Sequence, residues 1–205
     1  APPAPGRGRL ALRAWPWEDE DPYARCTALK LQVGMQFSPP LLAALNSLAE
    51  TADTSSDEGL HALLLDVLLA LRRAEGSWRY GFCERQVFDS DETGAREAGA
   101  ALQRWGIEGQ AKWGDGEAWE KMDRNPSGTT EFLVITVLAS CYGVLGQKEE
   151  PKVRSITDVK KILDALSGIQ VDELMQLDVQ WIPEEEGDSL SGMEVTMKFP
   201  ELAIL

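Results

Sequence analysis

Histidine is almost absent from this sequence, which has a single one, His61, among its 205 residues. A Ser-His-Asp or Cys-His arrangement needs a histidine beside its nucleophile, so any such site would have to be built around His61. A histidine in the first turns of a helix is most often hydrogen-bonded or partly exposed, and we favour that interpretation. The alternative is a pH sensor, because histidine titrates near neutrality.

Cysteine is also scarce, and its spacing excludes the usual cysteine chemistry. Cys26, Cys83 and Cys141 form no C-x-x-C pair, and no histidine lies near them in the sequence. Neither a zinc site nor a disulfide framework is therefore indicated, although one disulfide remains open. A hydrolase with Cys83 or Cys141 as nucleophile is the least favoured function, because neither residue has an identifiable base.

Motifs for nucleotides, metals and membranes are missing as well. The sequence has no P-loop, no G-x-G-x-x-G, no H-E-x-x-H and no EF-hand pattern. The acidic clusters at 18–21 and 184–188 lack the ligand spacing of a calcium loop, so they are interpreted as solvated turns. The apolar run Val67–Leu71 is far shorter than the roughly 20 residues that span a bilayer. We expect no cofactor, no metal, no transmembrane segment and no enzymatic activity.

Basic residues are outnumbered, 20 against 34 acidic ones, which gives a net charge of −14. This charge argues against nucleic acid and anionic membrane surfaces as partners. Solubility is its simplest explanation, and a specific basic partner is the alternative.

The first 22 residues read as an extended arm ahead of a single domain at 23–205. The arm combines prolines and arginines with two tryptophans and an acidic run, and it lacks a core pattern. A solvated leader is one interpretation, but tryptophan beside arginine is typical of an anchor in a partner's groove. The candidate partner-binding residues are Arg7, Arg9, Arg13, Trp15 and Trp17. The chain begins at an alanine without methionine, as a processed protein or a cloned fragment does.

The remaining sequence predicts interleaved strands and helices. Strict alternation predicts a half-buried strand at 29–37, and an apolar run predicts a strand buried on both faces at 132–139. Further strands are predicted at 76–88 and 175–181, and helices after Ser38, from Ser55 to Arg73, at 95–105 and from Ser155 to Gly168. The expected fold is α+β, with about four mainly antiparallel strands and about four helices packed largely on one face. The other face would be left for a partner.

Three local features of the sequence refine this prediction. Ser55 and Glu58 have the spacing of a capping box, which would start the most apolar helix of the chain. Gly106 and Gly109 are expected to break the helix at 95–105, and residues 184–205 are expected to form an acidic turn followed by an irregular end at 199–202.

The stretch Ala52-Asp-Thr-Ser-Ser-Asp-Glu-Gly-Leu-His61, followed by Val67-Leu-Leu-Ala-Leu-Arg72, resembles the signature of an uncharacterised-domain family of cyanobacteria and chloroplasts that includes the plant fluctuating-light acclimation protein. Further matching stretches are 29–33, 131–136, 181–183, 186–190 and 199–202. The resemblance implies a photosynthetic cell or organelle, and a role near thylakoid or envelope membranes in acclimation to changing light. It implies no catalytic residues.

Together these observations predict a non-enzymatic accessory protein of a chloroplast photosynthetic membrane complex. It would associate peripherally with a photosystem or another thylakoid complex through the arm, on the stromal or the lumenal side. The alternative is a regulator of chloroplast proton or ion homeostasis that acts on a transporter and senses pH through His61.

Overall fold

A five-stranded antiparallel sheet organises the computed structural model, which describes residues 24–112, 132–146, 151–183 and 190–205. Along the chain the elements are β1 (Arg25–Gln36), α1 (Pro39–Thr51), α2 (Asp57–Arg73), a 3₁₀ turn (Glu75–Ser77), β2 (Trp78–Asp89), α3 (Glu92–Ala111), β3 (Phe132–Tyr142), α4 (Ile156–Ser167), β4 (Leu174–Ile182), α5 (Gly192–Lys198) and β5 (Ala203–Ile204). The strand order is β4-β3-β1-β2-β5.

Strand β1 lies at the centre of the sheet, and both of its faces are covered. It pairs with β2 along one side and with β3 along the other. All its residues from Cys26 to Met35 are buried. Because side chains alternate along a strand, the odd-numbered residues face one layer of helices and the even-numbered residues face another.

The apolar face of the sheet, defined by Leu29, Leu31, Val33 and Met35 of β1, packs against α1, α2 and α4. These helices direct leucine, isoleucine and valine side chains towards it at three- and four-residue spacing. The deeply buried contributors include Leu45 of α1, Leu64, Leu68 and Leu71 of α2, and Leu163 and Leu166 of α4. This cluster is the main hydrophobic core.

The polar face of the sheet, which contains Lys30, Gln32, Thr136 and Ser140, lies on the opposite side and is partly covered by α3. The inner side of α3 consists largely of small residues, so the helix approaches the sheet closely. A Cβ on Gly99 would contact Gln176 of β4 at 3.2 Å, and one on Gly106 would contact Asp178 at 3.1 Å. The absence of a Cβ at Gly99 and Gly106 therefore lets α3 pack closely over the polar side chains of β4.

Lys30 is the buried cation of the polar face. Its side chain is only 11% exposed, and Nζ lies 3.2 Å from Glu84 Oε2 of β2. The ammonium group also lies 5.3 Å from the ring centre of Phe82 and 5.4 Å from that of Trp105. The ion pair and the two aromatic faces replace the water that the charge has lost. Lys30 thereby links β1, β2 and α3.

A separate, smaller apolar cluster lies at one end of the polar face. Leu190, Val195 and Phe199 pack there against Phe132 and Val134 of β3. Ser191 starts α5 with a complete capping box, in which its side chain accepts from the amide of Glu194 and its own amide donates to the Glu194 carboxylate. This segment therefore folds into a short helix.

The predicted fold class is confirmed: the domain is α+β with a mainly antiparallel sheet, and three helices share the apolar face. Three details of the prediction were wrong. The face expected to be left for a partner carries α3. The final segment, for which no helix or strand was predicted, forms α5 and β5, while 199–202 is irregular as predicted. Helix α3 also continues through Gly106 and Gly109, because both fit against Gln180 and Asp178 of β4. Trp105 of α3 is buried.

Replacing Lys30 with alanine is expected to lower the free energy of unfolding by roughly 2–3 kcal/mol, because it leaves a void between two rings and removes the partner of Glu84. Lys30→Met keeps the stem and should cost about 1 kcal/mol. Chemical denaturation measures both. The control is Lys161→Met, since Lys161 is 65% exposed and 3.7 Å from Asp158. A Lys30→Ala variant as stable as that control would contradict the structural role.

Candidate functional site

The candidate partner-binding residues of the arm, Arg7, Arg9, Arg13, Trp15 and Trp17, lie outside the described residues. Their role stays a prediction. The two acidic clusters at 18–21 and 184–188 also lie outside that range. Among the residues that the structure does describe, no group of three or more histidine, cysteine or acidic side chains could hold a metal ion. No helix in those same ranges is long and apolar enough to cross a membrane.

The sequence signature at 52–61 builds the loop between α1 and α2. The Asp53 carboxylate accepts hydrogen bonds from the amide and the hydroxyl of Ser55 at 2.9 and 2.6 Å, and from the hydroxyl of Ser56 at 2.7 Å. Ser56 in turn accepts from the amide of Gly59 at 3.1 Å and is the N-cap of α2. The signature is thus a local hydrogen-bond network that fixes the start of a core helix.

The capping box predicted for Ser55 and Glu58 is wrong by one residue. Ser55 is unavailable as the cap because Asp53 engages both its amide and its hydroxyl, so Ser56 caps the helix instead. These three bonds lower the pKa of the Asp53 carboxyl from 3.8 to about 2, the hydroxyl of Ser55 contributing most.

His61 joins α2 to the segment that follows α4. Its Nε2 lies 2.8 Å from the carbonyl oxygen of Ile169, and its side chain is half-buried. Because a carbonyl only accepts, Nε2 donates this bond. The bond agrees with the interpretation of His61 as a hydrogen-bonded helix residue. Its role as a pH sensor stays a prediction.

The three cysteines are free and buried. Desolvation is the main cause that raises the pKa of the Cys83 and Cys141 thiols to about 12, and it also raises the pKa of Cys26. A thiol of pKa about 12 is ionised in roughly one molecule in 10⁵ at neutral pH, and the thiolate is the nucleophilic form. Neither Cys83 nor Cys141 is therefore suited to act as a nucleophile.

A cavity of about 470 Å³ lies beside the outer edge of β2. The stretch from Gly81 to Arg85 forms one wall, and the other lining residues are 151–154, Glu201 and Ala203. Strand β5 pairs only with Tyr80 and Gly81, so it ends where the cavity begins. From Phe82 to Asp89 no strand of the described chain covers this side of β2.

Among the described residues that line this cavity, three are basic and two are acidic. Its two carboxylates are already engaged, Glu84 by Lys30 and Glu201 by Lys112. Arg85 donates to the carbonyl of Leu145 at 2.6 Å.

Lys152 and Arg154 are exposed at the same cavity, and their side chains have no partner among the described residues. A protein of net charge −14 therefore presents a local basic site.

Sequence reasoning missed this site, although Lys152 and Arg154 flank the buried Val153 in the sequence. Nothing in the alternation of 76–88 shows that β2 lies near the rim of the sheet, because strand order depends on pairings distant in sequence. The basic pair and the strand meet only in the fold.

The architecture is that of an α+β domain with helices on both faces of an antiparallel sheet, a stretch of β2 that no described strand covers, and three buried thiols. The chain belongs to the family described as "Protein of unknown function (DUF1517)", whose sequence model matches residues 25–205.

Two relatives can be compared in detail. The chain is 29% identical over 194 residues to "Protein FLAP1 homolog A" of Synechocystis sp., a match that covers 86% of this chain and 56% of the relative. It is 30% identical over 189 residues to "Fluctuating-light-acclimation protein 1, chloroplastic" of Arabidopsis thaliana, covering 87% of this chain and 46% of the relative. The chain thus spans about half the length of these relatives. No solved structure matches it significantly.

Gly59→Ala is expected to destabilise the domain by roughly 1–3 kcal/mol, because the new Cβ would overlap the Asp53 carbonyl and lie 2.9 Å from the Ser56 hydroxyl oxygen. Thermal and urea unfolding measure the loss. Gly76→Ala is the matched control, since a Cβ there meets nothing within 4 Å. Equal stability of the two variants would show that the loop is not constrained as described.

Asp53→Asn is expected to lower stability at neutral pH and to have progressively less effect as the solution is acidified. The folded-state pKa of Asp53, about 2, lies below its ordinary value of 3.8. Its contribution is therefore present above about pH 4 and is lost as the pH falls towards 2. Melting temperatures of both proteins across this range test the prediction, with exposed Asp172→Asn as control. A difference independent of pH would contradict it.

Proposed function

We propose that this protein is a non-enzymatic accessory protein that binds peripherally to a photosynthetic membrane complex of the chloroplast and acts in acclimation to changing light. The observation that carries the proposal is the 30% identity to a chloroplastic fluctuating-light-acclimation protein over 189 residues. The similarity to a cyanobacterial relative of related name supports a photosynthetic setting. Thylakoid association and a photosystem partner are part of the proposal.

Several features of the described chain support a binding role rather than catalysis. The single histidine is engaged by the Ile169 carbonyl, and Cys83 and Cys141 are held as neutral thiols. The cavity at β2 brings together cations and a strand edge, which are the elements of a protein-binding surface. The tryptophans and arginines of the arm would supply a second contact with the complex.

The test is gentle solubilisation of the source membranes, gradient separation and mass spectrometry of each fraction for this chain. Co-migration with a photosystem or another thylakoid complex is the expected result. Trp15→Ala/Trp17→Ala should reduce the co-migrating fraction about tenfold if the arm is an anchor, whereas exposed Lys161→Ala should leave it unchanged. Recovery of the wild-type chain only as a free small protein would overturn the proposal.

A further inference from the structure

The geometry points to a strand-addition site at β2: we propose that an acidic, extended segment of a partner protein pairs with the outer edge of β2 beside Lys152 and Arg154. This inference rests on the proposed function, because it specifies how the domain contacts its partner. It is carried by three observations, namely the direction of the backbone groups of β2, the cavity beside them, and the charge around that cavity.

The backbone amide and carbonyl groups of the odd-numbered residues of β2 point away from β1, towards the outer edge of the strand. Ser90, an even-numbered residue, donates inward to the Ala24 carbonyl, whereas the Arg79 carbonyl accepts from the Leu205 amide at the end of β5. Pairing with β5 stops at Gly81. The outward amide and carbonyl groups of Cys83 and Val87 therefore have no strand partner in the described chain, and such an edge is a template for a further strand.

The cavity determines where the added strand would lie. It borders β2 from Gly81 to Arg85, directly beyond the end of β5, so an incoming strand would continue the line of β5 along the sheet. Segment 151–154 also lines the cavity. Its Val153 is buried against the strand: a Cβ on Gly81 would lie 2.7 Å from the Val153 side chain. The space is therefore a groove between a strand edge and a fixed segment.

Charge selects the chemistry of the occupant. Glu84 and Glu201 in the groove are neutralised by lysines that approach from the sheet and from α3, while Lys152 and Arg154 remain exposed at the rim. An acidic segment would gain two ion pairs there, and a basic one would be repelled. The other rim strand, β4, has Glu173 just before it and Asp178 within it, so it does not offer an acidic segment the same attraction.

The first test is fluorescence-anisotropy titration of the full chain with a labelled peptide in which glutamate alternates with valine. Saturable, salt-sensitive binding is expected, and the same peptide with lysine for glutamate should bind at least about tenfold more weakly. Lys152→Glu/Arg154→Glu should reverse that preference. Equal binding of both peptides would overturn the charge argument, and no binding of either would overturn the site.

A second pair of variants tests backbone pairing. Val87→Pro removes an outward amide while leaving the bonds of β2 to β1 intact, because proline is tolerated where the N–H faces away from the sheet. It should weaken the acidic peptide about tenfold, whereas Val87→Thr keeps the amide and should bind as the wild type does. Circular dichroism confirms that both variants are folded. Identical affinities would show that the peptide does not add as a strand.

Two other occupants give distinct results. If peptide binding appears only after the chain's own acidic run is neutralised (Glu18→Gln, Asp19→Asn, Glu20→Gln, Asp21→Asn), that run occupies the groove and the proposal is overturned. If sedimentation shows a dimer that Val87→Pro dissociates, a second copy occupies it, with the same consequence. Co-migration with a thylakoid complex without peptide binding refutes only this docking mode. Peptide binding without co-migration refutes the membrane-complex assignment.

Discussion

The burial of β1 on both faces is the constraint from which the rest of the structure follows. Side chains of a strand that has helices on both sides alternate between two environments. The two faces of β1 accordingly differ in chemistry. The apolar face is filled by aliphatic side chains of three helices, whereas Lys30 and Gln32 face α3. Polar groups there need fixed partners: Gln32 donates to Thr136 at 3.2 Å, and Lys30 reaches Glu84 and two aromatic rings. The contact of Lys30 with Trp105 joins α3 to the sheet, and the other contacts join β1 to its neighbouring strands.

The pairing of the strands determines which of them could bind a partner through their backbone. Interior strands β1 and β3 have both edges paired, so binding by backbone addition is confined to the strands at the rim. Of these, β2 is shielded by β5 over only two residues. Glu84 and Glu201 at this rim are paired with lysines. Among the described residues, Lys152 and Arg154 therefore make this part of a strongly negative protein locally basic. The ion pairs of Glu84 with Lys30 and of Glu201 with Lys112 therefore also affect the charge of the surface beside β2.

Local patterns in the sequence predicted those parts of the fold whose causes are local. The strict alternation at 29–37 identified β1 and its apolar face, and Ser155 with Asp158 identified the start of α4. Helix α3 was predicted too short, because the contacts that accommodate Gly106 and Gly109 come from β4, far away in the sequence. The position of β2 near the edge of the sheet could not be predicted either, because it depends on pairing with strands that are distant in sequence. The shift of the cap from Ser55 to Ser56 depends on a side chain two positions upstream, Asp53, which competes for the first serine.

The three buried thiols have a consequence for the surroundings in which the domain can operate. Thiol–disulfide exchange requires an accessible thiolate, and Cys26, Cys83 and Cys141 are both buried and held in the neutral form. A glutathione-type disulfide therefore meets no accessible thiolate of these cysteines that could attack it. Burial of the three thiols therefore disfavours mixed-disulfide formation on the folded domain under both reducing and oxidising conditions.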